Sequence, residues 1–353
     1  MKSKKILTAF LASMMVISLL SGCGNKAVST GKELGKDGFP NLKGEKLVVY
    51  VVFHEEEGKR LLELFEEKTG CDTSYLSLPT GEALTRTIFE KDAPKADIFL
   101  GGPADVHEAL KDKGVSEKYV SKTAKDIPDQ YKDKDGFWTG MYVGPLAIGL
   151  NTDLWDKEFA SKGLKKPETY EDLINPAFKG EIVMPDPATS GTAYTFISTL
   201  VQSMGEDKAF EYFQKLKNNV AQFTSSGFAP VQKVGSGEYL MCVNFIEDQL
   251  LVKKSGFPVQ SIIPPNAGWQ VGSTSIIKNG PNSKSAKAFI DFVLSKEAGN
   301  LQTDLTQASS TRSDVRVPEG GKKVEELSIF KDYDPKKAGA DKIKLVTRWN
   351  SLK

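Results

Sequence analysis

Histidine and cysteine are scarce in this 353-residue chain, which holds two of the first and three of the second. With only His54 and His107, there are few ways to assemble a Ser/His/Asp or Cys/His pair. The chain has no Gly-x-Ser-x-Gly turn, no His-Glu-x-x-His, no Cys-x-x-Cys and no phosphate loop ending in Gly-Lys-Ser/Thr. Their absence removes the common hydrolase, zinc-protease, thiol-redox and nucleotide-binding signatures. Excess charge of one sign is missing too: Lys+Arg 47 against Asp+Glu 46 gives no global field directed at nucleic acid. The charges alternate instead of forming blocks, as on solvated helix faces. No internal repeat is found. Cys71 and Cys242 can form one bridge at most, and buried free thiols are the expected state.

What is present begins with an address. Met1-Lys2-Ser3-Lys4-Lys5 is a positive n-region, and residues 6–20 form an apolar h-region too short to span a bilayer comfortably. The h-region ends in Leu20-Ser21-Gly22-Cys23, a small-residue run before cysteine that resembles a bacterial lipoprotein signal. On that reading residues 1–22 are removed and Cys23 carries the lipid. Residues 23–41, polar and without apolar period, form a flexible tether. The membrane would be touched through this anchor only, on the extracytoplasmic face. The alternative is an ordinary secretory signal in which the cysteine has no role.

Residues 47–53 are a near-continuous apolar run, the pattern of a strand buried on both faces. A helix follows with Leu61, Leu62, Leu64 and Phe65 inward, ending at Thr69-Gly70. A second strand (71–78) turns at Pro79-Thr80-Gly81 into a helix (82–90). A third (96–100) closes at Gly101-Gly102-Pro103 before a helix over 105–111. Three such units in succession predict a doubly wound α/β sheet, whose ligands sit beyond the carboxyl ends of its strands. His54, Thr80-Gly81 and Gly101-Gly102 then share one rim. His107, inside a polar helix, reads as a surface residue.

Residues 128–138 read as a charged, aromatic surface segment, and 141–151, which include Tyr142, as an extended run broken at Gly144-Pro145. That run crosses into a second lobe, and 272–277 return from it. A short helix is expected from residue 166 and an amphipathic one over 285–294. The length suffices for two cores. The expected division is 42–142 with 270–300 as lobe 1, 143–269 as lobe 2, and 301–353 as a C-terminal helical segment packing on the lobes.

The stretch that carries most chemistry is Asp186-Pro187-Ala188-Thr189-Ser190-Gly191-Thr192-Ala193. A strand precedes it and a helix to Gly205 follows, so the first helical N–H groups lack partners. Those donors, the Ser190 and Thr192 hydroxyls and the positive end of the helix dipole favour a negative ligand group, and Gly191 admits it to the backbone. The plainer reading is that Thr189 or Ser190 only caps the helix. Thr224-Ser225-Ser226 offers a second hydroxyl turn on the same lobe. Glu247 and Asp248 end another strand, where they would accept hydrogen bonds, meet an ammonium or ligate a cation. Four polar turns converging between two crossings favour a cleft over isolated caps.

These segments, taken in order, resemble the solute-binding proteins of bacterial ABC importers from about Leu47 to about Lys296. The branch is the one that holds ferric-ion-binding, hexose-phosphate, aminoethylphosphonate and thiamine-binding proteins. The resemblance rests on Leu47-Val48-Val49-Tyr50 with His54, Ala96-Asp97-Ile98-Phe99, Gly144-Pro145-Leu146-Ala147-Ile148-Gly149-Leu150-Asn151-Thr152, Thr189-Ser190-Gly191-Thr192-Ala193, Gly235-Ser236-Gly237-Glu238-Tyr239 and Ala286-Lys287-Ala288-Phe289-Ile290-Asp291-Phe292. It implies a two-lobed periplasmic-binding-protein-like fold of type II. Each lobe would be a mixed sheet flanked by helices, with the ligand cleft at the hinge. It also implies a monomer that uses no cofactor, is not an enzyme, and delivers cargo to a membrane permease with its ATPase.

Carried over by position, Ser190, Gly191 and Thr192 match the turn that holds phosphate in those relatives, with Ser225 and Ser226 near a second anion contact. Glu247, Asp248 and His54 would face the organic end of the cargo. Thr80, Gly81, Gly102 and Tyr142 complete the expected ligand-binding set. The ferric pattern fails in part. His54 matches a ligand position, but Gly101-Gly102 stand where an acid is used and Glu247-Asp248 where tandem tyrosines are used. Iron held by His54, Glu247 and Asp248 with a synergistic anion is the competing reading. A secreted hydrolase is a third, and it lacks a paired nucleophile and base.

Overall fold

The computed structural model describes residue 35 and residues 38–318 and 326–352. The leader, Cys23 and most of the expected tether lie outside the described residues.

The apolar run folds as β1 (Lys46–Val51) and hands over to α1 (Glu55–Thr69). Three glutamates in the first turn of α1 and Lys68 in the last complement its dipole, and Gly70 closes it in the left-handed conformation. The same alternation gives β2 (Asp72–Ser77), α2 (Thr80–Phe89), β3 (Ile98–Pro103), α3 (Ala104–Asp112) and the short β4 (Ser116–Glu117). β1 pairs in parallel with β2 on one side and β3 on the other. Gly101 and Gly102, expected as a turn, are instead the end of β3, at φ +91 and +82. A Cβ on Gly101 would lie 1.8 Å from the Phe53 ring, so only glycine fits there.

β5 (Thr139–Asn151) runs unbroken through Gly144-Pro145, contrary to the sequence expectation. The proline sits where the ladder changes partner: β10 (Trp269–Ile277) pairs as far as Trp269 opposite Pro145, and β8 (Met241–Phe245) begins opposite Leu146. A residue without an N–H is tolerated at such a switch. Past β5 come α4 (Thr152–Leu154), β6 (Ile182–Pro185), α5 (Gly191–Met204), α6 (Glu206–Lys217), β7 (Val220–Thr224) and α7 (Ala229–Gly235). Then follow β8, α8 (Ile246–Lys254), β9 (Val259–Ile262), β10, α9 (Ser283–Val293), α10 (Lys296–Thr306), β11 (Ser309–Ser310) and α11 (Pro335–Ser351).

The main path of the mixed sheet is β2-β1-β3-β10-β5-β8-β6-β7. Helices flank it around separate cores. One gathers Leu47, Phe65, Ile98, Phe289 and Phe292; the other gathers Leu146, Ile182, Phe196, Phe213 and Trp349. α11 belongs to the second core through Ala338, Leu345 and Trp349. It also lies so close to α3 that a Cβ on Gly339 would stand 2.8 Å from the Asp105 carbonyl.

Two further expectations fail for packing reasons. In residues 128–138, Tyr131 and Trp138 are buried, and the Trp138 indole donates to Glu108 at 2.8 Å. The helix expected from residue 166 is a single 3₁₀ turn, Glu171–Ile174. Cys71 and Cys242 are both buried and free. In a chain beginning after residue 23, a thiol reagent is expected to count two cysteines only after unfolding. Reductant should leave the melting temperature unchanged.

Candidate ligand-binding site

α5 starts where β6 ends, and the turn between them is pinned by Asp186. The Ala188 N–H donates to the Asp186 carboxylate at 2.8 Å, and those of Thr189 and Ser190 donate to its carbonyl. Ser190 is the N-cap residue, yet its side chain makes no capping bond. Among the described residues the backbone N–H groups of Gly191, Thr192 and Ala193 have no acceptor, and neither do the Ser190 and Thr192 hydroxyls. Ser190 and Thr192 are nearly buried, at 4% and 9% exposure, and both line a cavity of about 340 Å³. Unpaired amides at the positive end of a 14-residue helix favour a negative group. Among the described residues no lysine or arginine lines this cavity, so an anion there would be held by neutral donors and the dipole.

The same cavity also has an acidic lining. Glu247 and Asp248, in the first turn of α8, line it together with Glu57 of α1. Burial, together with the Asp248 charge, pushes Glu247 up to about 8. Burial and the charges of Glu247 and Asp248 push Glu57 to about 8, and burial lifts Asp248 to about 7. Amide side chains orient them: Gln270 donates to Glu247 at 2.9 Å, Gln302 to Glu57 at 2.8 Å and Asn244 to Asp248 at 3.3 Å. The second oxygen of Glu247 is buried without a partner. Tyr142 stands buried beside them, and burial plus these carboxyls hold its phenol well above the ordinary value. The His54 ring lies 4.8 Å from the Phe228 ring, and burial lowers its pKa below the ordinary histidine value.

A family model described as "Bacterial extracellular solute-binding protein" matches residues 93–335. The chain belongs to the bacterial extracellular solute-binding proteins. Among its relatives is a Haemophilus influenzae protein without an assigned function, 34% identical over 274 residues, 76% of this chain and 78% of that one. The periplasmic binding protein AfuA from Actinobacillus pleuropneumoniae, solved with exogenous fructose-6-phosphate, superposes with a TM-score of 0.83 at 31% identity over 87% of this chain and 98% of its own. A putative 2-aminoethylphosphonate-binding periplasmic protein of Salmonella typhimurium is 25% identical over 71% of this chain and 73% of its own. Among the described residues, no helix of this solute-binding protein is long and apolar enough to cross a membrane.

The cavity brings together Ser190, Thr192, Ser225, Ser226, Glu247, Asp248, His54, Thr80, Gly102 and Tyr142 from the expected set. Gly81 and Gly191 from that set are not among the lining residues. The Gly81 N–H is spent on the Thr189 carbonyl at 2.9 Å, so it is not available to cargo. Gly191 is small because Pro103 packs on it: a Cβ there would meet the proline ring at 2.9 Å. Its N–H still points from the helix end. The Ser226 hydroxyl accepts from the Phe228 and Ala229 N–H groups, which leaves only its proton to give. His107 is fully buried, not superficial, bridging the Gly101 carbonyl (2.9 Å) and the Ser275 hydroxyl (2.6 Å). Burial lowers it to about 4, so it ties β3 to β10 as a neutral ring. His54, Glu247 and Asp248 do not form a chelating group; among the described residues no three His, Cys, Asp or Glu are placed to hold a metal ion.

Sequence reasoning missed Glu57, Gln270 and Thr306. Glu57 carried a signal: it lies one turn before Leu61 on the buried stripe of α1. An acid on an apolar face has to be answered by something inside.

Proposed function

We propose that this protein captures a small solute bearing a phosphate or phosphonate and presents it to an ABC permease and its ATPase. The carrying observation is the turn at Ser190–Ala193, where three free amides and two free hydroxyls adjoin a cavity that no lysine or arginine among the described residues lines. The phosphoryl group sits there, helped by Ser225 and the Ser226 proton. The organic end turns to Glu57, Glu247 and Asp248, which suit hydroxyl or ammonium donors and repel a second anionic group. AfuA's fructose-6-phosphate and the Salmonella relative's 2-aminoethylphosphonate are the two chemistries this arrangement accommodates. Lobes at 42–142 with 270–300 and at 143–269 close about β5 and β10. A lipid on Cys23 holds the protein at the extracytoplasmic face, and no bond in the cargo is broken.

Calorimetry tests this. Fructose-6-phosphate or 2-aminoethylphosphonate is expected to bind, and fructose and ethanolamine are not. Binding of ferric citrate with no response to either phosphorylated compound would overturn the reading. The hydrolase reading predicts turnover of a chromogenic phosphate ester, and none is expected.

A further inference from the structure

Beside the anion seat, the two halves of the molecule are joined by a backbone bond that touches no cargo. The Gly81 N–H, in the first turn of α2, donates to the Thr189 carbonyl at 2.9 Å. Thr189 lies two residues before Gly191, the first free amide of α5, and its own position is fixed twice over. Its N–H donates to the Asp186 carbonyl at 3.1 Å, and its hydroxyl donates to the Ser225 carbonyl at 3.0 Å. A first-turn helical N–H has no partner inside its own helix. Here that orphan donor is satisfied from the opposite side of the cleft. Thr80, the neighbour of Gly81, lines the cavity and packs its methyl towards both Gly102 and Gly191.

The residue type at position 81 is explained by this approach and not by backbone conformation. Gly81 is helical and has no left-handed φ. A Cβ built on it would meet the Ala188 carbonyl oxygen at 2.8 Å, the Thr189 oxygen at 3.2 Å and the Thr189 Cα at 3.3 Å. All three are backbone atoms of the turn that Asp186 pins, so no side chain can rotate out of the way. In an isolated helix, alanine would be the better residue. Glycine therefore weakens α2 slightly and permits contact across the cleft.

We infer that Gly81 and Thr189 form a lip latch that sets cargo affinity by stabilising the closed arrangement, with Gly81 acting as a positioning residue. Closure and binding are coupled: a solute held by a form that is only partly populated binds more weakly by that fraction. The latch lies next to the anion seat, so closing it brings Thr80 and Pro103 against the turn that holds the oxyanion. It uses only main-chain atoms.

Residue-resolved amide exchange and the variant Gly81→Ala test the inference. In the native chain without solute, the Gly81 amide is expected to exchange at least about tenfold more slowly than a free first-turn amide. Exchange at the unprotected rate would overturn the latch, whatever the cargo proves to be. Gly81→Ala is expected to keep or raise the melting temperature, to widen the scattering envelope, and to weaken 2-aminoethylphosphonate or fructose-6-phosphate roughly tenfold or more, mainly through faster release. Native affinity and an unchanged envelope in this variant would sink the inference. If the variant folds poorly, exchange in the native chain still decides. If the native chain binds neither probe, the proposed cargo class fails, while exchange and scattering judge the latch alone.

Discussion

Replacing Ser190 with alanine and Thr192 with valine together is expected to weaken a phosphate-bearing solute by about 100- to 10,000-fold while leaving the fold intact. A hydrogen bond to a charged group contributes about 1.5–3 kcal/mol, so losing two removes roughly 3–6 kcal/mol of binding, and about 1.4 kcal/mol is tenfold in affinity. The fold should tolerate the change because neither hydroxyl has a protein partner and Ser190 makes no capping bond. Valine keeps the volume of threonine at a site only 9% exposed. Calorimetry for binding and urea unfolding for stability separate the two effects. A double variant that binds fructose-6-phosphate or 2-aminoethylphosphonate as the native chain does would remove the anion from this turn. The free amides of Gly191, Thr192 and Ala193 survive these substitutions, so residual weak binding of inorganic phosphate is the expected remainder.

The second large effect is on stability and follows from the acidic wall. Glu57 is raised from 4.5 to about 8 in the folded protein, first by burial and then by Glu247 and Asp248. Between those values the folded chain holds a proton that the unfolded chain has already released. Stability is therefore highest below about 4.5 in this respect and is lost as the pH climbs towards about 8. One unit of displacement is about 1.4 kcal/mol, so a single such carboxyl costs on the order of several kcal/mol at alkaline pH. Glu57→Gln keeps the shape and the Gln302 contact but cannot ionise. Relative to the native chain, the variant is expected to gain stability steadily from pH 5 to pH 8, read as the difference in urea midpoint. A difference that stayed flat with pH would mean that the three carboxyls are not desolvated as the cleft geometry implies. Taking the difference matters because His107 acts in the opposite direction. Its pKa falls from 6.5 to about 4, so it contributes stability above 6.5 that is lost as the pH drops.

Much of the architecture was legible because it is written in local period. The apolar run at β1, the glycine after α1 and the strand-turn-helix repetition each follow from short-range chemistry, and the structure places them within three residues of expectation. What could not be read is what depends on a distant partner. His107 looks polar in its helix, and only the return of β10 with Ser275, 168 residues away, makes it a core group. Pro145 looks like a break until one knows that β5 changes neighbours there. At the site, the Ser190–Thr192 turn declared itself through its residue types, as did Glu247-Asp248. Glu57 and Gln270 did not, because an acid sharing a cavity with two other acids is recognisable only once α1 and α8 line it together. The glycines at 81 and 191 also answer a need that lies outside their own turns. Their smallness serves the contact between halves of the protein, and no sequence window displays that.

The way β10 and α11 reach back has a consequence for how the molecule comes to exist. Neither core can be finished by neighbouring stretches of chain. The first needs Phe289 and Phe292 from α9 against Phe65, and the second needs Trp349, in the last turn of α11, 5.6 Å from Phe213. Contacts so remote demand that long loops be closed before any reward is collected, which slows folding. The polypeptide thus stays threadable until nearly all of it is available. That is the property required of a chain that crosses a membrane unfolded, as its proposed leader implies.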